Sequence, residues 1–524
     1  MKKQLYTVVL LLAGITGLTS CDKDFVKENT DPVAPLTTTA DRLLAPALVN
    51  SMWPGMSRNR NFNNELMQVT VNMSDADATV FRYTFRSTFS DYLWNAWYVQ
   101  LTNFKDIYDK AGQEGALNES YQGIALIGQA WLFSMLTDTY GDIPYFESNK
   151  GDATKGGILE PAFDAQKDIY LDLFKKLEEA NTLLSKGTTI TINSDPVFKG
   201  DIAKWRKFGN TLYMRLLLRV AGKAEVAQQC IGKIKEIAET NTENYPTMQS
   251  NADAAFIRWT GGASTTDPYT SPYVTGVRSQ DFRSPAIGKF FIDHLRDWSD
   301  PRLTTSGAYS DGGANRWGIA QGSNGYAGVP SGYAVGAGES KQSYFYSNDQ
   351  ALSTGTYGAR SLQQHPLTGI LMNYAELQFI LAEAAVKGWI SGSAENYYKA
   401  GIAASINYWV PTFSGAANST ELNTYIANAD LTWNEGGNME AKMEQIHLQK
   451  YYALFLVDMQ QWFEYRRTGH PILPKGPGLM NGGVMPARMT YPVYVQSANP
   501  SNYKKAVAAQ GPDLISTNVW WQKP

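Results

Sequence analysis

The sequence predicts a mostly α-helical protein, a superhelix of tetratricopeptide-like helix pairs joined to a loop-rich, irregular half. Three observations lead there. Apolar residues recur at helical spacing through most of the chain, as at Leu93, Trp97, Leu101, Phe104 and Tyr108. The periodic stretches come in pairs with short turns between them, such as Tyr374–Val386 and Ala394–Tyr408 around the turn at Gly388–Ser393. A block from about 251 to 368 loses that period and fills with Gly, Ser, Thr and Tyr.

In chain order, residues 1–20 read as a leader: Lys2 and Lys3, then an apolar run from Leu5 to Leu18 that is too short to span a bilayer. Small residues precede a cysteine in Leu18-Thr19-Ser20-Cys21, which is similar to a bacterial lipobox. Cleavage before Cys21 and lipidation of its thiol are expected, and several acyl chains hold a protein firmly to a membrane. Residues 21–40 are polar, carry Pro32 and Pro35, and read as the lipidated tether. The remainder, 41–524, reads as a single domain. Its helical scaffold covers about 41–250 and 369–470, the loop-rich insertion about 251–368, and C-terminal loops about 471–524.

Helices are predicted at Asp91–Lys110, Tyr121–Leu136, Phe163–Leu184, Ile202–Val220, Tyr374–Val386, Ala394–Tyr408 and, as one long buried helix, Met443–Tyr465. Tyr121–Leu136 is apolar nearly all round and should be buried. Phe163–Leu184 keeps Tyr170, Leu173, Phe174, Leu177 and Leu184 on one face and Asp172, Lys175, Lys176 and Glu179 on the other. Small residues at Gly128, Ala130, Ala382, Ala384, Gly401 and Ala403 would let helices approach closely. Trp94, Trp97, Trp131, Trp205 and Trp462 fall in helical patterns and read as core.

Composition excludes several classes. The chain has 524 residues, 18% of them charged, and a net charge of −3, which leaves no basic surface for nucleic acid. Two cysteines cannot build a disulfide framework, and Cys230, in a helical pattern, reads as a packed thiol. Chemistry-bearing motifs are sparse. Gly476-Pro477-Gly478 lacks the third glycine of a dinucleotide fingerprint. Glu444-x-x-His447 puts two ligand types on one helical face, but a di-iron bundle needs that motif twice. Asp75-x-Asp77-x-Thr79 begins like a calcium loop, yet Val80 replaces the required glycine. Asp138, Asp142 and Glu147 read as turn caps, and Arg466-Arg467 as cations closing a helix. No catalytic residue, metal or cofactor is predicted beyond the covalent lipid.

Five segments then carry a resemblance: Asn29-Thr30-Asp31-Pro32; Leu136 to Tyr145, with Asp138-Thr139-Tyr140-Gly141-Asp142 at its centre; Ala375 to Ala384; Gln449 to Leu454 with Trp462 to Gly469; and Pro486 to Pro492 with Val519-Trp520-Trp521. In this order the chain resembles the SusD/RagB nutrient-binding outer-membrane lipoproteins, in the SusD-like branch. The resemblance implies four tetratricopeptide-like pairs with a looped ligand-binding half, and display on the outer membrane. It also implies a SusC-like TonB-dependent transporter as partner. The ligand would be an oligosaccharide, with peptide as the alternative, and no catalysis would occur; a surface glycoside hydrolase is the rival reading.

Sugars bind aromatic faces through their C–H surfaces. Rings in the loop-rich block, and in the loop before the Asp91 helix, are therefore the candidate ligand arc: Phe81, Tyr83, Trp259, Tyr269, Tyr273, Trp317, Tyr326 and Tyr333.

Overall fold

The computed structural model describes residues 38–261, 266–303, 315–353 and 361–523. Cys21, the leader and most of the tether lie outside the described residues.

The architecture is mostly α-helical, as predicted. Five long helices follow one another and each packs on the next: α1 (Ala40–Arg58), α2 (Asp91–Ala111), α3 (Glu119–Tyr140), α4 (Gln166–Leu184) and α5 (Ile202–Val220), with α6 (Ala224–Lys235) against α5. Helix α1 is absent from the periodicity reading because Pro46 and Pro54 interrupt its pattern. It is helical all the same, because Leu44, Ala47, Leu48, Met52 and Met56 are buried by its neighbours. Helix α3 is buried almost throughout, and the Asn118 side chain caps it by accepting the Ser120 and Tyr121 N–H groups.

Close approach of α3 to its neighbours depends on glycine. A Cβ on Gly128 would lie 2.4 Å from the Phe104 ring of α2, and one on Gly123 would lie 2.7 Å from Leu184 of α4. Neither partner has room to move in a packed interior. Gly128→Val is expected to destabilise the protein by at least about 1–3 kcal/mol through overpacking, read by urea denaturation. Unchanged stability would contradict this packing.

The second helical group contains α8 (Tyr374–Val386), α9 (Ala394–Trp409), α10 (Thr420–Asn428), α11 (Met439–Ala453) and α12 (Gln460–Thr468); α7 (Lys289–Asp297) precedes it in the loop-rich block. The predicted Met443–Tyr465 helix is therefore two helices. Between them Leu456 (φ 67°) and Asp458 (φ 34°) take left-handed conformations, and the Asp458 carbonyl accepts a hydrogen bond from Asn59 Nδ2 at 2.6 Å. A contact made across the whole chain breaks the helix, so no local pattern announces it. The tail differs from expectation too: α13 (Val493–Ala498) and α14 (Pro500–Gln510) stand where loops were predicted.

Sheet structure is slight. β1 (Thr70–Val71) pairs antiparallel with β3 (Ala286–Ile287), and β2 (Ala255–Ile257) with β4 (Gly369–Met372). The β2–β4 ladder joins the start of the loop-rich block to the strand that follows it, and the β1–β3 ladder ties a segment inside the block to the scaffold.

Buried charge ties the two helical groups together. Arg215 of α5 makes a bidentate pair with Glu376 of α8, both contacts at 2.6 Å. Glu383 of α8 is held by both Arg467 guanidinium nitrogens, at 2.7 and 2.6 Å, and by Lys387 at 2.6 Å. Glu464 takes Lys450 at 2.6 Å, Arg467 at 2.8 Å and Arg219 at 3.4 Å. Asp138 accepts from Tyr170 and Trp521. Arg466 stacks on Trp462 and donates to the Asp138 carbonyl at 2.6 Å. Cys230 is buried, and burial pushes its thiol up to about 12, as a packed structural thiol requires.

Candidate functional site

The predicted ring arc is not assembled as an open surface. Phe81, Tyr83, Trp259, Tyr273, Trp317 and Tyr333 are all buried. A ring whose faces are covered cannot stack on a sugar, so these six are packing residues in this fold. Trp317 sits among Phe291, Phe455 and Trp409, with the Arg302 guanidinium 4.9 Å from its ring. Tyr273 donates its hydroxyl to the Met56 carbonyl. Phe81 and Tyr333 do come together, 5.3 Å apart, but as a small second core with Val71, Ala286 and Val329, roofed by Arg82. The reason is physical: a loop-rich half has few helix faces to pack with, so its own aromatics must supply its interior. Tyr269 and Tyr326 are half-buried and do not adjoin that pair through any ring contact among the described residues.

Half-exposed rings occur instead just beyond Tyr83, where α1 ends and α2 begins. Phe85, Phe89 and Tyr92 are partly open. Beneath them lies Phe62, fully buried, 5.1 Å edge-on to Phe85 and 5.8 Å from Phe89. Arg58 lies over the Phe89 ring at 3.9 Å and the Tyr92 ring at 4.8 Å. It donates to the Phe89 carbonyl at 3.2 Å and to Asn61 Oδ1 at 3.3 Å, while its Nε has no partner. Burial lowers the pKa of Arg58, opposed by Tyr140 and Tyr92. Each element is positioned by the scaffold: Tyr140 of α3 donates to the Ser90 carbonyl at 2.5 Å and so fixes the start of α2. The result is a cluster of three partly exposed rings with a guanidinium laid over two of them. Sequence reading stopped at Tyr83. Phe81, Phe85 and Phe89 recur four residues apart, but the first is buried and the later two are partly open, a difference the spacing does not carry.

The cluster with metal-ligand chemistry lies elsewhere. Glu383, His447 and Glu464 bring ligand atoms within 4.8 Å of one another. Both carboxylates are already engaged by Arg467, with Lys387 on one and Lys450 on the other. Burial lowers the His447 pKa, which keeps the ring neutral against Glu383. The other half of the Glu444-x-x-His447 pair turns away: Glu444 meets His470 at 2.6 Å.

The comparisons agree with this architecture. A profile of the SusD-like family, described as starch-binding and associating with the outer membrane, matches residues 32–492. Among solved structures, a SusD homologue from Bacteroides fragilis superposes with a TM-score of 0.71 at 24% identity, covering 93% of this chain and 100% of that one. A chitin-binding SusD homologue from Flavobacterium johnsoniae gives a TM-score of 0.73 at 21% identity, covering 92% and 98%. A SusD homologue from Bacteroides uniformis gives 0.69 at 23%, covering 92% and 99%. No curated protein matches the sequence.

Proposed function

The chain belongs to the SusD-like family, and on that footing we propose that it captures oligosaccharides at the outer-membrane surface without cleaving them, for delivery to a SusC-like TonB-dependent transporter. The lipid on Cys21 is the anchor in this reading. The observation that carries it is the family match over 32–492, whose description names starch binding and the outer membrane. Chitin binding by a structural relative supports a glycan in particular. Among the described residues no helix is long and apolar enough to cross a membrane.

Phe85, Phe89 and Tyr92 form the sugar platform, with Arg58 laid over Phe89 and Tyr92. Each ring adds on the order of 1 kcal/mol. Phe89→Ala is therefore expected to weaken retention on starch or chitin affinity gels about fivefold, and Arg58→Ala similarly, with the thermal melt checked in parallel. Trp317→Ala, by contrast, should act on stability. Equal retention of wild type and the Phe89 variant would remove the platform from the site. Incubation with the same polysaccharides should release no reducing ends; release would favour a hydrolase. Fatty-acid labelling that disappears in Cys21→Ser tests the anchor.

A further inference from the structure

A second groove lies on the helical half. Two clefts, of about 560 and 260 Å³, adjoin there and share Ser148 and Asn149 as a common wall. Apolar surface is concentrated along them: Phe146 is 47% exposed, Tyr494 42% and Leu159 80%. Tyr494 donates to Asn95 Oδ1, and other tyrosines around the clefts are fixed by hydrogen bonds. Tyr145 donates to Asp172 at 2.7 Å, Tyr108 to Glu179 at 2.6 Å, and Tyr98 to the Pro144 carbonyl at 2.7 Å. Asn149 stands at the junction in a left-handed conformation (φ 61°). Its Nδ2 donates to the Tyr98 carbonyl and to Thr102 Oγ1, which leaves its buried Oδ1 without a partner.

One end of the groove carries four lysines, with Asp109, Asp172 and Glu179 also in its lining. Lys105 donates to the carbonyl and the hydroxyl of Ser148, at 2.7 and 2.9 Å, and no carboxylate pairs with it among the described residues. Lys150, Lys155 and Lys176 line the same cleft. Lys155 pairs with Asp106, and Lys176 reaches Asp172 only at 3.8 Å. Burial first, then Lys176, Lys150 and Lys155, push Lys105 down to about 7, opposed by Asp109. A partly buried ammonium without a counter-ion is stabilised by an anion placed beside it. The rings and the amide fit the rest of a sugar chain.

We infer that this groove binds an oligosaccharide bearing an acidic sugar, its carboxylate at Lys105 and its apolar faces on Phe146 and Tyr494. This goes beyond the platform at Phe89 but rests on the reading of the protein as a glycan binder.

Titration calorimetry with trigalacturonate, beside maltotriose and chitotriose, tests it. Wild type should bind trigalacturonate, and more weakly as salt rises. Lys105→Met should lose at least about tenfold in affinity for the uronate, and Phe146→Ala about fivefold. Phe146 is exposed, so its variant keeps the test usable if Lys105→Met folds poorly. If the neutral sugars bind and trigalacturonate does not, or if an acidic peptide binds Lys105 as well as the uronate does, the groove assignment is wrong. If none of the three sugars binds, the glycan reading itself falls.

Discussion

Glu383→Gln is expected to destabilise the fold by about 3–5 kcal/mol, enough to unfold a marginal protein. The carboxylate is fully buried and is gripped by Arg467 from α12 and by Lys387, the residue that ends its own helix. Removing its charge leaves Arg467 with Glu464 as its only carboxylate and His447 facing an amide. Double-mutant analysis with Arg467→Met separates this from simple loss of packing. The paired change should cost less than the sum of the single changes, because neither charge is then left alone. The pH dependence has a definite sign. Burial by itself would raise the carboxyl pKa values; Arg467 with Lys387 at Glu383, and Arg467 with Lys450 at Glu464, overcome it and hold both well below the usual carboxylate range. Stability from these groups is therefore full above the unfolded value near 4.5 and is lost as pH falls through the depressed folded values. Additive effects in the double variant would show that the pair is not coupled.

That lattice explains what the sequence could and could not reveal. The segments that carried the resemblance, Leu136–Tyr145, Ala375–Ala384 and Gln449–Gly469, supply Asp138, Glu376, Glu383, Lys450, Glu464 and Arg467, members of the buried ion-pair network that Arg215, Arg219 and Lys387 complete from outside them. Their residue types are fixed by charge complementarity inside the core, so they are legible as motifs and say little about the ligand. Helix positions were legible for the same kind of reason, since apolar spacing is a local property. The ring platform was not. Phe81 and Phe85 look alike in a loop sequence; one is covered by Tyr333 and Arg82 and the other is half-open, and only the tertiary packing distinguishes them. Asp458 is a similar case, because the hydrogen bond from Asn59 that breaks the helix lies far away in sequence.

Glu65 should give the opposite pH response. Its carboxyl is buried in the helical segment that continues α1, where Oε2 accepts the Phe81 N–H at 3.3 Å. Burial pushes its pKa up to about 8, with only partial opposition from that hydrogen bond and from Arg60. The folded protein therefore holds a proton that the unfolded chain releases near 4.5. Stability from this group is full below the unfolded value and declines as pH rises toward 8, by up to about 5 kcal/mol over the window. Asp458, pushed up to about 6 by burial, has the same sign but acts only in the lower part of the range. In Glu65→Gln the hydrogen bond to Phe81 can persist while the titration is gone. Urea denaturation at about pH 5 and about pH 8 should show the wild type losing several kcal/mol between the two, and the variant losing much less. Since Glu65 supports the loop that runs from Phe81 to Phe85, loosening at high pH should also weaken retention on glycan gels in the wild type before it does so in the variant. Parallel pH profiles for the two proteins would mean that Glu65 is ionised in the fold and that its pocket is wetter than the packing around Phe81 indicates.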